Sequence, residues 1–211
     1  MTSRIFMLSP ARTDGKRAEL LMRSEAKFEL AQRVRGRGIA LAEAFTFLSG
    51  LYFRGKTTYA SEFGRATGGI LPQYVITSSH GLLSPHTIVG LLTLKQFAEV
   101  PIDLGEPRYV QPLQHSLNEL KAKLTEACEV VLLGSIATDK YCQPLLTVFG
   151  SRLLFPRDFI GRGDMSRGGL LLRAARSKKE LEYVSLQSVE KRSGQRPPKL
   201  PKAVVPTRPT D

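Results

Sequence analysis

The stretch 152–173 reads RLLFPRDFIGRGDMSRGGLLLR and places cations, glycines and a central acid between two apolar runs. Arginine guanidinium groups present forked donors that match phosphate geometry, and glycines let a backbone approach another molecule closely. A carboxylate at Asp164 would stay ionised here, because nearby cations favour its charged form. The pattern predicts a phosphate-binding loop that presents Asp164, with a solvated basic hairpin as the alternative.

The predicted loop also carries an apolar side chain, Met165, among its cations. Proteins that kink DNA insert apolar wedges between bases while cations hold the flanking backbone. The loop residues that we predict to contact nucleic acid are Arg157, Arg162, Met165, Ser166 and Arg167.

Two other polar groups follow short apolar runs that are typical of buried strands. Arg12 and Asp14 come after the run 4–8, and Asp14 also suits the N-cap of the next helix. Ser78, Ser79 and His80 come after the run 74–77. The carboxyl ends of strands form ligand crevices in α/β sheets, so both groups are candidate site elements.

His80 has two interpretations. Its imidazole could contact a phosphate or transfer a proton, or it could hydrogen-bond a carbonyl and pin the turn. The sequence around it has neither His-x-x-x-His nor cysteine spacing, so it predicts no metal site.

The chain of 211 residues carries 31 lysines and arginines against 19 acids, a formal net charge of +12. This balance favours a polyanionic partner, most often nucleic acid. Arg54 and Lys56 strengthen the prediction, because both stand beside aromatic residues, as cations of nucleic-acid surfaces often do. No apolar run approaches the ~20 residues that span a bilayer, and a signal-peptide pattern is missing. We therefore expect a cytoplasmic monomer that does not enter the membrane.

Apolar runs alternate with helical patterns along the chain. Strands are predicted at 4–8, 74–77, 129–133 and 153–155, and helices at 16–34, 39–48, 113–128 and 136–149. Continuous apolar strands alternating with helices are typical of a mostly parallel sheet covered on both faces. We predict a three-layer α/β domain over 1–189. The segment 190–211 is rich in proline and cations, which predicts a disordered basic tail.

The cysteines, Cys128 and Cys142, lack the spacing of a zinc site or a disulfide framework. Their apolar neighbours predict buried free thiols.

Two segments resemble a known family. LYFR at 51–54 with Tyr59-Ala60, and TSSHGLL at 77–83, resemble the bacterial DUF6884 or peroxide-stress-protein-like family. That family pairs an LFR…YA helix with a strand that ends in SA-K-(H or Y)-GLL. Ser79 stands where the family often has lysine, whereas residues 80–83 match.

A third segment, VVLLGSIA at 130–137, resembles the strand-to-helix junction of the uracil-DNA-glycosylase fold. That resemblance implies strand ends and loops arranged around a flipped nucleotide, and it implies phage defence as one setting. LSPAR at 8–12 replaces the usual Gly-x-x-Pro-Gly motif, so a substrate other than uracil is expected.

Taken with the charge, the resemblance implies a DNA N-glycosylase that excises a modified base by base flipping. Glycosidic cleavage builds positive charge on the sugar, which a carboxylate stabilises. Asp164 is the first candidate and Asp14 the second, with His80 supporting the leaving base. No metal or organic cofactor is needed. The alternatives are a DNA-binding stress or defence protein without catalysis and a nucleotide-processing enzyme with a small-molecule substrate, and RNA stays open beside DNA.

Overall fold

The computed structural model describes residues 3–189 and 197–198. Apart from Pro197 and Pro198, the tail predicted over 190–211 lies outside the described residues. The strands are β1 (Arg4–Leu8), β2 (Ile39–Ala40), β3 (Gln73–Ile76), β4 (Leu82–Leu83), β5 (Ile88–Val89), β6 (Glu129–Leu133), β7 (Leu153–Pro156) and β8 (Tyr183–Ser185). The helices are α1 (Lys16–Met22), α2 (Glu29–Arg35), α3 (Leu41–Ser49), α4 (Leu51–Phe63), α5 (Leu91–Glu99), α6 (Pro107–Lys123), α7 (Asp139–Phe149) and α8 (Asp164–Ser177).

Six strands form one sheet in the order β4-β3-β1-β6-β7-β8. The four inner strands run parallel, and β4 and β8 are antiparallel edge strands. The central strand β1 is apolar along most of its length and buried from Ile5 to Leu8, as expected for a strand covered on both faces. The predicted mostly parallel α/β sheet is confirmed.

The order of the strands places the helices on both faces of the sheet. The chain leaves β1 towards one edge and β6 towards the other edge. Because parallel crossovers are right-handed, these two connections lie on opposite faces. In agreement, α4 packs against α8, and α6 packs against α7. The arrangement is compatible with the predicted three-layer architecture.

The single helix predicted over 16–34 is wrong, because the chain turns between α1 and α2. The Arg35 guanidinium donates to the carbonyl oxygens of Arg23 and Ala26 and satisfies the turn. Phe28 stacks on Phe47 with ring centroids 5.6 Å apart. These contacts come from distant residues, so the helical composition of the segment did not reveal the break.

Two helix boundaries also differ from prediction. Asp14 does not cap α1, whose N-cap is Gly15 without a side-chain hydrogen bond. The segment 88–112, which lies outside all of the predicted helices and strands, contains α5 and the first residues of α6. Pro107 starts α6 at a position where a missing N–H costs nothing, and Glu106 caps that helix.

The segment predicted as a phosphate-binding loop is helical from Asp164 onward, so the prediction of a loop is wrong for that part, and phosphate binding stays a prediction. Gly168 serves packing, since on α8 it meets Gly55 of α4. A Cβ atom at Gly168 would lie 2.8 Å from Leu51 O and 2.8 Å from Tyr52 Cα. The two helix backbones therefore approach each other more closely than any side chain at this crossing would allow.

We expect Gly168→Ala to destabilise the protein although alanine is the better helix former. The helical gain of ~1 kcal/mol is opposed by a clash with backbone atoms, and overpacking of this kind costs about 1–3 kcal/mol or more. Thermal unfolding should show a lower Tm. The control is Gly163→Ala, where a Cβ atom meets no neighbour within 4 Å. Equal shifts for the two variants would contradict the close crossing.

Candidate active site

A cavity of about 710 Å³ opens at the carboxyl ends of β1 and β6. These neighbouring strands send their connections to opposite edges of the sheet, which is the usual position of ligand sites in open α/β folds. The cavity volume falls within the ~300–1,000 Å³ typical of small-molecule sites. The lining residues with polar side chains are Ser9, Arg12, Thr13, Asp14, Ser49, Tyr52, Ser135, Thr138, Lys140, Tyr141 and Asp164.

Asp164 contributes a carboxylate from the first turn of α8. The N-terminus of a helix stabilises negative charge, and Arg167 Nη1 lies 3.6 Å from Asp164 Oδ1. The Asp164 side chain is 68% exposed. The carboxylate is therefore open to a ligand while the fold holds its backbone in place.

Asp14 contributes the second carboxylate, from the loop after β1. Arg12 Nε donates to Asp14 Oδ1 at 2.6 Å, and this hydrogen bond lowers the pKa of the Asp14 carboxyl. Both side chains are largely exposed. The sequence-predicted carboxylates therefore line the same cavity, but Asp14 already has a cationic partner.

Two tyrosines, Tyr52 and Tyr141, form aromatic parts of the cavity wall. Burial raises the pKa values of both phenols, and the charge of Asp164 contributes. Each hydroxyl therefore stays protonated at neutral pH. Tyr52 Oη is buried and meets no partner with full hydrogen-bond geometry within the described part of the chain. The Arg167 guanidinium lies close enough to donate to this oxygen and opposes the rise in its pKa, which leaves the phenolic hydrogen without an acceptor. A buried donor of this kind is costly unless a ligand completes its hydrogen bonding.

Lys56 is buried behind this wall, with 1% of its surface exposed. Its ammonium group donates to Ser9 Oγ at 3.0 Å and to Ser9 O. It also lies 4.6 Å from the ring centroid of Tyr52 and 4.8 Å from that of Phe53. Burial lowers the pKa of Lys56 to about 7. The Asp164 charge opposes that shift, and the Arg167 charge adds to it.

Arg167 is also buried, with its guanidinium donating to Phe159 O and lying 5.2 Å from the Phe159 ring centroid. The prediction that Lys56 and Arg167 contact nucleic acid conflicts with their burial. Lys56 was assigned to a surface because it stands beside aromatic residues in the sequence, and Arg167 because its segment was predicted to be a loop. The close crossing of α4 and α8 instead brings them inside.

The turn after β3 lies beside the cavity rather than in its wall. His80 is exposed and does not line the cavity. Its backbone N–H donates to Thr77 Oγ1, and its ring lies edge-on to Phe97 at 5.3 Å. Ser78 Oγ donates to Phe97 O, and Ser79 Oγ bonds His80 Nδ1. These contacts pin the turn against Phe97, which lines the cavity. The His80 ring bonds the Ser79 hydroxyl rather than the carbonyl that the sequence interpretation named.

The remaining predicted contacts are exposed or half-buried. Arg162 Nη1 donates to Ser166 Oγ at 3.3 Å, so these residues meet at the start of α8. Met165 follows Asp164 and is 67% exposed. Arg54 is exposed on α4. The exposed Arg157 pairs with Glu182 at 2.9 Å.

Several lining residues were missed by sequence reasoning. Tyr52 and Tyr141 lie in helical patterns that are indistinguishable from ordinary core. Ser135 stood inside the segment resembling a strand-to-helix junction, and this position was the only signal for it. Ser9 follows β1 directly, and its strand-end position could have identified it.

No protein-family model, curated protein or solved structure matches this sequence. The resemblances described above therefore stay predictions. Within residues 3–189 and 197–198, no three histidine, cysteine or acidic residues are grouped so as to hold a metal ion. The same residues include no helix that is both long and apolar enough to cross a membrane. Cys128 and Cys142 are buried thiols that are not joined in a disulfide, in agreement with the prediction.

Proposed function

We propose that this chain is an N-glycosylase that cleaves the bond between a modified base and its sugar in a nucleotide flipped out of DNA. The observation that carries the proposal is the open carboxylate of Asp164 beside two protonated tyrosines in one cavity of about 710 Å³. That volume suits a nucleoside, and base-processing enzymes hold the extruded base between aromatic or apolar side chains.

The Asp164 carboxylate supplies the electrostatic part of the reaction. As the glycosidic bond breaks, positive charge develops on the sugar, and a preorganised negative charge stabilises it. Asp164 is suited to this role because α8 fixes its backbone at the cavity. Tyr52 Oη offers the bound nucleotide a buried donor.

DNA is favoured as the source of the nucleotide by charge and by the residues around Asp164. The formal net charge is +12, and such charge attracts a phosphate backbone. The exposed Met165 next to Asp164 is placed to act as a wedge when a base leaves the stack. A uracil-DNA-glycosylase-like fold belongs to the same proposal.

A second candidate is an enzyme that processes free nucleotides. Two cations first assigned to DNA, Lys56 and Arg167, are buried. The exposed Arg12 and Arg157 each pair with an acid. The described part of the chain therefore offers fewer unpaired cations to a DNA backbone than the composition alone indicates.

One panel of reactions separates these functions. The full chain is incubated with DNAs that contain uracil, 5-methylcytosine, 5-hydroxymethylcytosine or N6-methyladenine, and in parallel with the matching free nucleosides and nucleotides. Released base is measured by mass spectrometry, and abasic sites by an aldehyde-reactive probe. Release from one of the DNAs supports the proposal, and release from the free compounds alone supports the second candidate. Salt-dependent DNA binding without release from any substrate would identify a non-catalytic DNA-binding protein.

A further inference from the structure

Ser9 and Lys56 form a hydrogen-bonded pair at the carboxyl end of β1. Ser9 lines the cavity. Lys56 does not line it, but extends from α4 behind the cavity wall and donates to Ser9. A lysine ammonium has three donors and no acceptor, so Ser9 Oγ accepts from it. The hydroxyl hydrogen of Ser9 must therefore point away from Lys56, and Ser9 can donate it into the cavity.

The groups around Lys56 come from three elements. Tyr52 and Phe53 present their rings from α4, Ser9 presents its carbonyl and hydroxyl directly after β1, and Asp164 and Arg167 act from α8. Burial dominates this environment and lowers the pKa of Lys56 to about 7. An amine with this pKa can both give and accept a proton at neutral pH, as catalytic lysines do.

We propose that Ser9 donates a proton to the departing base and that Lys56 replaces this proton through their hydrogen bond. This inference rests on the proposed N-glycosylase function. It makes Ser9 a catalytic residue and Lys56 a positioning and proton-supplying residue. The pair takes the role that sequence reasoning gave to His80, which lies outside the cavity wall.

The step balances without a cofactor. The bond between C1′ and the base nitrogen breaks, and its electron pair stays on the base. The base takes the hydroxyl proton of Ser9, while the ammonium of Lys56 returns a proton to Ser9 Oγ and becomes a neutral amine. Water adds its oxygen to C1′, and the proton lost by that water reaches Lys56 through solvent. The net reaction is hydrolysis to a free base and an abasic sugar.

Two groups of the cavity lining would then act on the two fragments. Asp164 carries negative charge for the sugar, and the Ser9–Lys56 pair carries a proton for the base. Environments that separate the protonation states of two groups are how one site performs both tasks. The α4–α8 crossing fixes both, because it places Lys56 and Asp164 on packed helices.

The test is single-turnover base release between pH 5.5 and 9.5, with DNA containing the base that the wild type releases. We expect Ser9→Ala to lower the rate by about 10²-fold, the size of a typical general-acid contribution. The wild-type rate should fall on the alkaline side as Lys56 loses its proton. Lys56→Arg keeps a cation that neither titrates in this range nor gives up its proton, so the rate should be low at every pH and the alkaline fall should disappear. Ser177→Ala, at the far end of α8, is the control and should keep the wild-type rate and profile.

A second measurement separates failure of the pair from failure of the proposed function. Nuclear magnetic resonance of protein labelled with ¹³C at lysine Cε follows the titration of Lys56 without any substrate, and Ser9→Ala should shift its midpoint. If the wild type releases base and Ser9→Ala does so with the same rate and pH profile, the relay is overturned and the glycosylase function stands. Absence of release from every DNA, with the Lys56–Ser9 coupling present, would overturn the glycosylase and with it the role of the relay.

Discussion

Replacing Asp164 with asparagine is expected to lower single-turnover base release by about 10²-fold and to leave affinity for DNA unchanged or higher. A neutral amide cannot stabilise positive charge on the sugar, and losing one preorganised electrostatic group costs about this much. Removing a negative charge near a polyanion cannot weaken the attraction. Rapid-quench kinetics gives the rate, and fluorescence anisotropy with the same DNA gives the affinity.

The matched control is Asp158→Asn, an exposed acid that precedes α8 and does not line the cavity. It removes the same charge from the same region and should leave base release near the wild-type rate. Equal losses in the two variants would show a general effect of surface charge. An unchanged rate in Asp164→Asn would remove Asp164 from the mechanism and direct attention to Asp14, whose carboxylate lines the same cavity beside Arg12.

The sheet was predictable from sequence because its inner strands are short, continuous apolar runs. The runs at 4–8 and 129–133 became β1 and β6 with the predicted bounds. A strand of this kind is buried on both faces, which limits its composition strongly. Some of the polar residues that follow such strands were also predicted, and of these Arg12 and Asp14 line the cavity, whereas Ser9, directly after β1, was missed.

The helical layer around Asp164 was not predictable in the same way. Gly168 looked like part of a flexible loop, but it is a contact point between α8 and α4. Lys56 and Arg167 looked like surface cations, but this contact buries them. The crossing that buries Lys56 and Arg167 brings together residues more than 100 positions apart in the sequence, such as Gly55 and Gly168. The local composition around each cation cannot indicate such a contact.

Asp164 lines the cavity as predicted, but its structural surroundings differ from those that the sequence indicated. The sequence argument placed it in a loop among arginines that bind phosphate. In the structure it begins α8, and only one of those arginines, Arg167, lies within ion-pair distance of it. The position of α8 exposes Asp164 to the cavity. Asp164 therefore remains the candidate catalytic carboxylate because of this helix position, and not because a loop presents it.

The buried amine of Lys56 should also make stability depend on pH. Burial lowers the folded-state pKa of Lys56 from 10.5 to about 7. Between these two values the unfolded chain holds a proton that the folded chain has released, so the free energy of unfolding rises with pH. Below about pH 7 both states are protonated and the full cost of burying the charge is present.

Replacing Lys56 with methionine, a side chain of similar length without a charge, should remove this rise. Between pH 6 and pH 9 the free energy of unfolding should increase by about 2.5 kcal/mol more in the wild type than in Lys56→Met. Urea unfolding at both pH values measures the difference, and it stays informative if the variant loses stability at every pH. Lys95→Met, which removes an exposed lysine of α5, should keep the wild-type pH dependence. Parallel curves for the wild type and Lys56→Met would mean that Lys56 keeps its proton across this range, and Lys56 would then hold the proton too tightly to pass it to Ser9 at neutral pH.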